Sequence, residues 1–383
     1  MQAPLRLLLA LRPTVAPALL VAVAASTVVF ASTPFILPAV ADEYGVSTGR
    51  AGLISATQLG GFVAASWIGG RFLKPVRSVF IAGTLLGVLA NLASAIAPTF
   101  EVLAAIRLLS GISLGLAAWF AWQDAFGDDG KVGDVAVVGP LVGMVVAPTV
   151  AALIETIGVN GVFAVLGVVS AAPLVFVSGV GSHDELRPHR TRHAATMAAR
   201  AILLALAIVT VGGSSVFVYG VAIGTEANGM TALTVSLIYS ANAIAAIPAA
   251  KWYGPRGPAG IWFVCTAVCA FSIAGVRNPI VFSVALVAWG FVFFMGVPAA
   301  FGLLAARSNF PEERAGDAQA VMALGRVFGP LLGGVFIGAG AYIGLAFTSA
   351  AILMVAAGTL LFVDRRRFLV SGANGRGVVR RGG

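Results

Sequence analysis

The feature that most restricts this chain is a succession of apolar runs, each close to 20 residues long, parted by short breaks that carry charge, Gly or Pro. A helix of about 20 apolar residues crosses the hydrocarbon layer with its backbone N–H and C=O groups bonded internally, which is what lipid demands. Reading the runs between breaks predicts twelve spanning helices, at 15–38, 49–70, 76–97, 100–123, 135–157, 161–180, 199–221, 230–250, 259–276, 279–305, 316–339 and 342–363. Composition agrees, since 59% of the residues are apolar and 10% charged, against about a quarter charged in a soluble domain. The start, MQAPLRLLLALRP, is basic like a signal peptide, but the run behind it continues into a full span, so it reads as an uncleaved end.

Charge sets the expected orientation. All Lys and Arg except Arg50, Arg277, Arg107 and Arg326 fall on alternate loops or the two chain ends, and such an excess marks the cytoplasmic side. The expectation is a multi-pass protein of the cytoplasmic (inner) membrane with both termini cytoplasmic. A net charge of +9 then needs no nucleic acid, and the basic tail 364–383 reads as a solvated topogenic end, with contact to anionic lipid headgroups as the alternative. Cys265 and Cys269, at i and i+4 on one predicted helix, read as small core residues, with no metal site, cofactor or disulfide implied.

The chain also repeats itself. GGRFLKPVR (69–77) aligns with AAKWYGPRG (249–257), and GMVVAPTVAALI (143–154) with GRVFGPLLGGVF (325–336), both at an offset of about 180 residues. The polar stretch 181–198 lies between the copies. The expected organisation is therefore an all-α membrane protein of two pseudo-symmetric six-helix bundles: 1–180, the linker 181–198, 199–363, and the tail 364–383.

These residues resemble the major facilitator superfamily over essentially the whole chain. Gly69, Lys74 and Arg77 match its G-x-x-x-D-R-x-G-R loop after the second helix, with Leu73 and Val76 replacing the Asp and the second Gly. Arg107 and Gly111 match the R-x-x-x-G of its fourth helix. Gly143, Ala147 and Pro148 keep part of the antiporter motif of the fifth helix, while Gly325, Gly329, Pro330, Gly333 and Gly334 complete its counterpart on the eleventh. The pattern is closest to drug/proton antiporter-like exporters. The resemblance implies the twelve-helix fold, alternating access, and cytoplasmic charges that latch the inner face. Candidates for that latch are Arg71, Lys74, Arg77 and Asp124 in the first half, and Lys251, Arg256 and Asp317 in the second.

Small residues every fourth position let spanning helices approach closely, so helices five and eleven are expected to be smooth rods at the interface between halves. A cation inside a span costs about 2.5–3.5 kcal/mol on insertion scales and must face a cavity or a partner. Arg107 and Arg326 are such cations, and no Asp, Glu or His stands in the central part of any predicted span. Either they line a positive cavity suited to an anionic group, or a local carbonyl or outer carboxylate occupies them. The helices that line the family's cavity add Ser26, Thr27, Gln58, Ser110, Ser113, Trp119, Tyr219, Tyr239, Asn242 and Trp289 as candidate lining; each is equally readable as helix packing. Proton coupling, if present, would use Glu43, Asp42 or Glu155.

The expected function is secondary transport of a small organic or amphipathic solute, outward, by a monomer without cofactors. An importer or facilitator of an organic anion is the alternative, and a non-transporting sensor or a lipid scramblase a third. No nucleophile pair, phosphate loop or intramembrane acid cluster suggests an enzyme.

Overall fold

The computed structural model describes residues 15–125, 129–180, 193–252 and 254–374. Among them the apolar runs become helices, with no strand. In chain order these are α1 (Pro17–Tyr44), α2 (Thr48–Phe72), α3 (Arg77–Ser94), α4 (Phe100–Ala125), then α5 and α6 as the two arms of Asp129–Ala171. They continue as α7 (Met197–Phe217), α8 (Ala232–Ala250), α9 (Ala259–Gly275), α10 (Pro279–Ala306), α11 (Pro311–Gly338) and α12 (Tyr342–Asn374). The even number of crossings returns the chain to the face where it began. We call this the terminal face and its opposite the distal face.

The ends differ from the sequence reading where local chemistry outweighs hydropathy. The first helix runs past residue 38 to Tyr44, where Gly45 adopts φ 61° and returns its N–H to the Ala41 carbonyl, the left-handed stop that glycine supplies without a Cβ penalty. α5 and α6 meet at Gly158, whose φ of 69° and ψ of 175° break the helix. α6 finishes in a tighter 3₁₀ coil at Ala172–Gly179. α12 continues to Asn374, so the predicted tail begins as helix. Most of the linker, 181–192, lies outside the described residues. Its last residue before α7, Thr196, caps that helix by accepting the Ala199 N–H at 3.1 Å and donating to the Arg307 carbonyl at 2.7 Å.

Helices α1–α6 pack into one bundle and α7–α12 into the other, and two seams join them, α2 on α11 and α5 on α8. Within the first bundle α2 and α4 nearly touch backbones: a Cβ on Gly111 would run into the carbonyl of Gln58. The glycine of the fourth-helix motif is thus a packing requirement. A hydroxyl that would otherwise face lipid bonds its own helix one turn back, as Thr149 does to Val145 at 2.8 Å, since hydrocarbon offers no other acceptor.

Candidate functional site

The site is built around a break in α7. Regular helix stops at Phe217; a turn at Gly220–Ala222 and a wide π-turn at Ile223–Ala227 follow. A helix end leaves carbonyls unpaired, and here a tyrosine fills the role. Tyr239 of α8 donates to the Phe217 carbonyl at 2.5 Å, while Gly220 leaves room for its hydroxyl. The ring of Tyr239 also meets Phe217 at 5.1 Å and, across the bundles, Phe35 of α1 at 5.4 Å. Trp289 of α10 joins Phe217 at 5.9 Å.

On the other flank of the break, Tyr219 is wholly buried. Its hydroxyl lies 2.8 Å from the Pro330 carbonyl of α11 and 3.3 Å from the Gly49 carbonyl at the start of α2. A Cβ on Gly52, Gly333 or Gly334 would strike this ring or its hydroxyl, and one on Gly49 would enter the backbone of Gly334 and Gly338. Glycines from two helices, α2 and α11, therefore form the socket in which Tyr219 of the α7 break joins the bundles.

Arg326 stands one turn before that clasp. At about 100° per residue, the exposed apolar stripe of α11 is Leu324, Phe328, Leu331 and Val335, which faces lipid. Gly325, Gly329 and Gly333 form a second stripe that meets Ala207, Thr210, Val211, Ser214 and Ser215 of α7, and Pro330 and Gly334 a third against Gly52 and Gly49 of α2. Arg326 lies between the second and third stripes, opposite the lipid face. Its side chain is exposed although it lies on the face turned away from lipid. A cation so placed within a span lines an internal cavity. Along this inward face Gln319 and Arg326 are exposed, with Met322 buried at its edge between them, while Pro330, Gly333 and Ile337 are buried. The cavity thus opens toward the terminal face and closes just beyond Arg326.

The glycine ridge of α11 therefore packs mainly on α7 of its own bundle, and the contact across the bundles comes from Gly334. On α5, Ala147 is buried, and a Cβ on Gly143 would stand 3.8 Å from the Ala243 methyl of α8. Pro148 is half-buried on the same arm.

Several other predicted lining residues lie elsewhere. Arg107 is 2% exposed inside the α3–α4–α6 packing, donating to Asn91 Oδ1 at 2.7 Å, its guanidinium 5.2 Å from the Phe163 ring centre. Asn91 passes the chain on to Ser170 at 3.1 Å and Gly87 at 2.9 Å. Asn242 spends its amide on the Leu286 carbonyl at 2.6 Å, and Trp119 packs on Gly69 and Phe120. Thr27 bonds its own helix at Val23. Ser26 and Ser113 share a small pocket with Thr84 and Ser170 between α1, α3, α4 and α6. The Gln58 amide nitrogen and the Ser110 hydroxyl are buried without a hydrogen-bond partner among the described residues.

The acids sit at the ends. Asp42, Glu43 and Glu155 are exposed near the distal ends of α1 and α5, with Glu43 accepting from Asn160 at 2.9 Å. The distal acid that links the bundles is Glu226, absent from the sequence reading of coupling residues: it accepts from Thr48 of α2 at 3.1 Å and Tyr342 of α12 at 2.7 Å. Glu226→Gln is expected to raise the distally open population about two- to fivefold, in line with the small worth of exposed charged contacts, measured by labelling of a distal cysteine pair; an unchanged rate would remove Glu226 from the closure.

At the terminal face, Asp317 pairs with Arg314 at 2.7 Å, and Arg314 reaches the His193 carbonyl at 2.7 Å. Arg256 gives its N–H groups to carbonyls that end α8, Ala249 at 2.6 Å and Ala250 at 3.2 Å, and the burial this entails lowers its pKa. Its guanidinium is therefore a helix cap, and the second-half latch to Asp317 is not formed through it. Lys251, Lys74 and Arg77 are exposed, Asp124 is half-buried, and the Arg71 side chain lies outside the described residues.

Two bundles of six apolar helices, clasped at one end around a cavity open at the other, define a membrane transporter rather than an enzyme. The sequence model of the Major Facilitator Superfamily matches residues 18–326, and the chain belongs to that family. No functionally curated protein matches it. Among solved structures it is similar to the human organic anion transporter MFSD10 (TETRAN), at TM-score 0.65 and 15% identity over 90% of this chain and 97% of that one. It is likewise similar to a bacterial homolog of the human lysosomal transporter Spinster, inward-facing and occupied, at TM-score 0.69 and 12% identity over 95% and 97%. The nucleoside transporter NupG gives TM-score 0.67 and 11% identity over 90% and 98%. At these identities the likeness speaks for the fold.

Proposed function

We propose that this protein is a secondary transporter that moves a small amphipathic organic solute by alternating access, in the outward direction. Its two bundles rock about the α2–α11 and α5–α8 seams around the cavity beneath the α7 break. The observation that carries this reading is the gradient along α11: exposed at Gln319 and Arg326, buried from Pro330 onward, where Tyr219 joins the bundles. A protein with one end clasped and the other open is halfway through such a cycle. The aromatic roof of Phe217, Tyr239 and Trp289 suits an apolar moiety. The Lys and Arg distribution supports a cytoplasmic terminal face in the cytoplasmic membrane, and the partly kept antiporter motif of α5, Gly143, Ala147 and Pro148, supports export.

The test is a set of spin-label pairs across the distal and terminal mouths, with uptake into vesicles by a panel of cationic and anionic aryl compounds, with and without a pH gradient. Reciprocal opening and closing of the two mouths, with solute flux, is the expected result. Labels that hold fixed separations under every solute and pH would end the alternating-access reading.

A further inference from the structure

We propose that Arg326 forms an anion-binding subsite at the apex of the cavity, so that the transported solute carries a carboxylate, sulfonate or phosphate on an apolar body. This rests on the transport reading above and names the chemistry the site selects.

Four observations converge on it. First, Arg326 has no hydrogen bond or ion pair among the described residues, whereas Arg107 is held by Asn91 and Arg256 by carbonyls. Of these three arginines, Arg326 is the one with donors to spare, and a guanidinium fork matches an oxyanion in two parallel bonds. Second, the exposed side chain lies on the face of α11 turned away from the lipid stripe, and inside a span its attraction for an anion is screened less than at the surface. Third, Pro330 has no N–H to give the Arg326 carbonyl one turn back, and such a freed backbone group inside a membrane is tolerated where it lines a cavity.

Fourth, an apolar wall stands about one turn further along. Gly325, next to Arg326, meets Ala207 and Thr210 of α7, while Trp289 of α10 meets Gly213, about 5–9 Å further along α7 by helical rise. An anion held by Arg326 would thus have a flat apolar surface within reach of its apolar body. An anion on Arg326 would also lie one turn from Pro330, whose carbonyl holds Tyr219. Occupancy of the subsite and opening of the clasp are then neighbours on one helix.

A lipid headgroup phosphate and a free organic anion share this chemistry, so the experiment has an arm for each. Purified protein in a zwitterionic detergent is titrated with naphthalene-2-sulfonate and with its neutral sulfonamide, following the melting temperature, because a ligand stabilises the state it binds. In parallel, nanodiscs with and without phosphatidylglycerol are compared. The expected result is stabilisation by the sulfonate and not the sulfonamide, weakened at least tenfold in Arg326→Gln and partly restored in Arg326→Lys, with the ligand-free melting temperature unchanged because no partner is lost. Stabilisation by phosphatidylglycerol that depends on Arg326 and competes with the sulfonate would keep the subsite and assign the anion to lipid. Sulfonate binding equal in wild type and both variants, or equal for the sulfonamide, would overturn the proposal. The spin labels separate the two levels: mouths that still alternate while sulfonate binding ignores Arg326 would remove the subsite and leave the transport reading standing.

Discussion

Replacing Gly49 with alanine is expected to hold the distal mouth open and abolish transport. The added Cβ would enter the carbonyl of Gly334 and the backbone of Gly338, atoms that no side-chain rotation can move. Backbone must shift instead, and overpacking of this kind costs about 1–3 kcal/mol, a factor of roughly 5 to 150 in population. On the proposed rocking motion that cost falls on the clasped state alone, because the distal end of the α2–α11 seam, where Gly49 meets Gly334 and Gly338, parts when the distal mouth opens. The fold itself should therefore survive. Distal spin-label distances should lengthen and terminal ones shorten, and a thiol reagent supplied from the distal side should reach a cysteine placed in the cavity. Gly334→Ala, which meets Gly49 and the Tyr219 hydroxyl from the opposite side, should do the same. Tyr219→Phe, which removes the one O–H that the Pro330 and Gly49 carbonyls share but keeps the ring, should give a milder shift in the same direction. Unchanged distances in Gly49→Ala would mean that α2 and α11 do not form the gate.

The second large effect is on stability. Asn91→Leu is expected to lower the unfolding free energy by about 1.5–3 kcal/mol, the usual worth of a hydrogen bond to a charged group. It would leave Arg107, 2% exposed, with the face of Phe163 for company in the middle of a bundle. The cost arises from stranding a charge, so removing the charge should recover most of it. The double variant Arg107→Met with Asn91→Leu is expected to melt close to wild type, since replacing both partners by apolar groups of similar shape is often nearly neutral. Such a cycle, read by thermal denaturation in detergent, also separates the two intramembrane arginines. Sulfonate binding should survive in the double variant, because Arg107 belongs to architecture. Loss of that binding, with stability restored, would bring Arg107 into the solute site.

These outcomes show which parts of the protein were legible beforehand. The number of spans, the break near Gly158, the two-bundle frame and the family followed from runs of apolar residues and a handful of motif positions. Arg326 stood out as a cation in a span with no acid in register. What the chain did not disclose was which neighbour each helix turns toward. Asn91 is an ordinary polar residue in an apolar run until α3 lies against α4 and presents it to Arg107. The stop of α7 at Phe217 falls within an apolar stretch, and the carbonyl there is taken by a tyrosine on another helix. Tyr219 looked like one more lining aromatic, yet its partners are the carbonyls of Gly49 and Pro330, far away along the chain. Glu226 was legible as a distal acid but not as a strap between bundles.

The division has a physical basis. Hydropathy and the thickness of the bilayer act on each segment separately, so the sequence by itself determined how many helices cross, where they turn and which charges must hide. Rotation of a helix about its own axis changes none of those quantities. It is set by close packing between segments distant in the chain, and so only the tertiary structure decided that Arg107 is walled in while Arg326 faces the cavity.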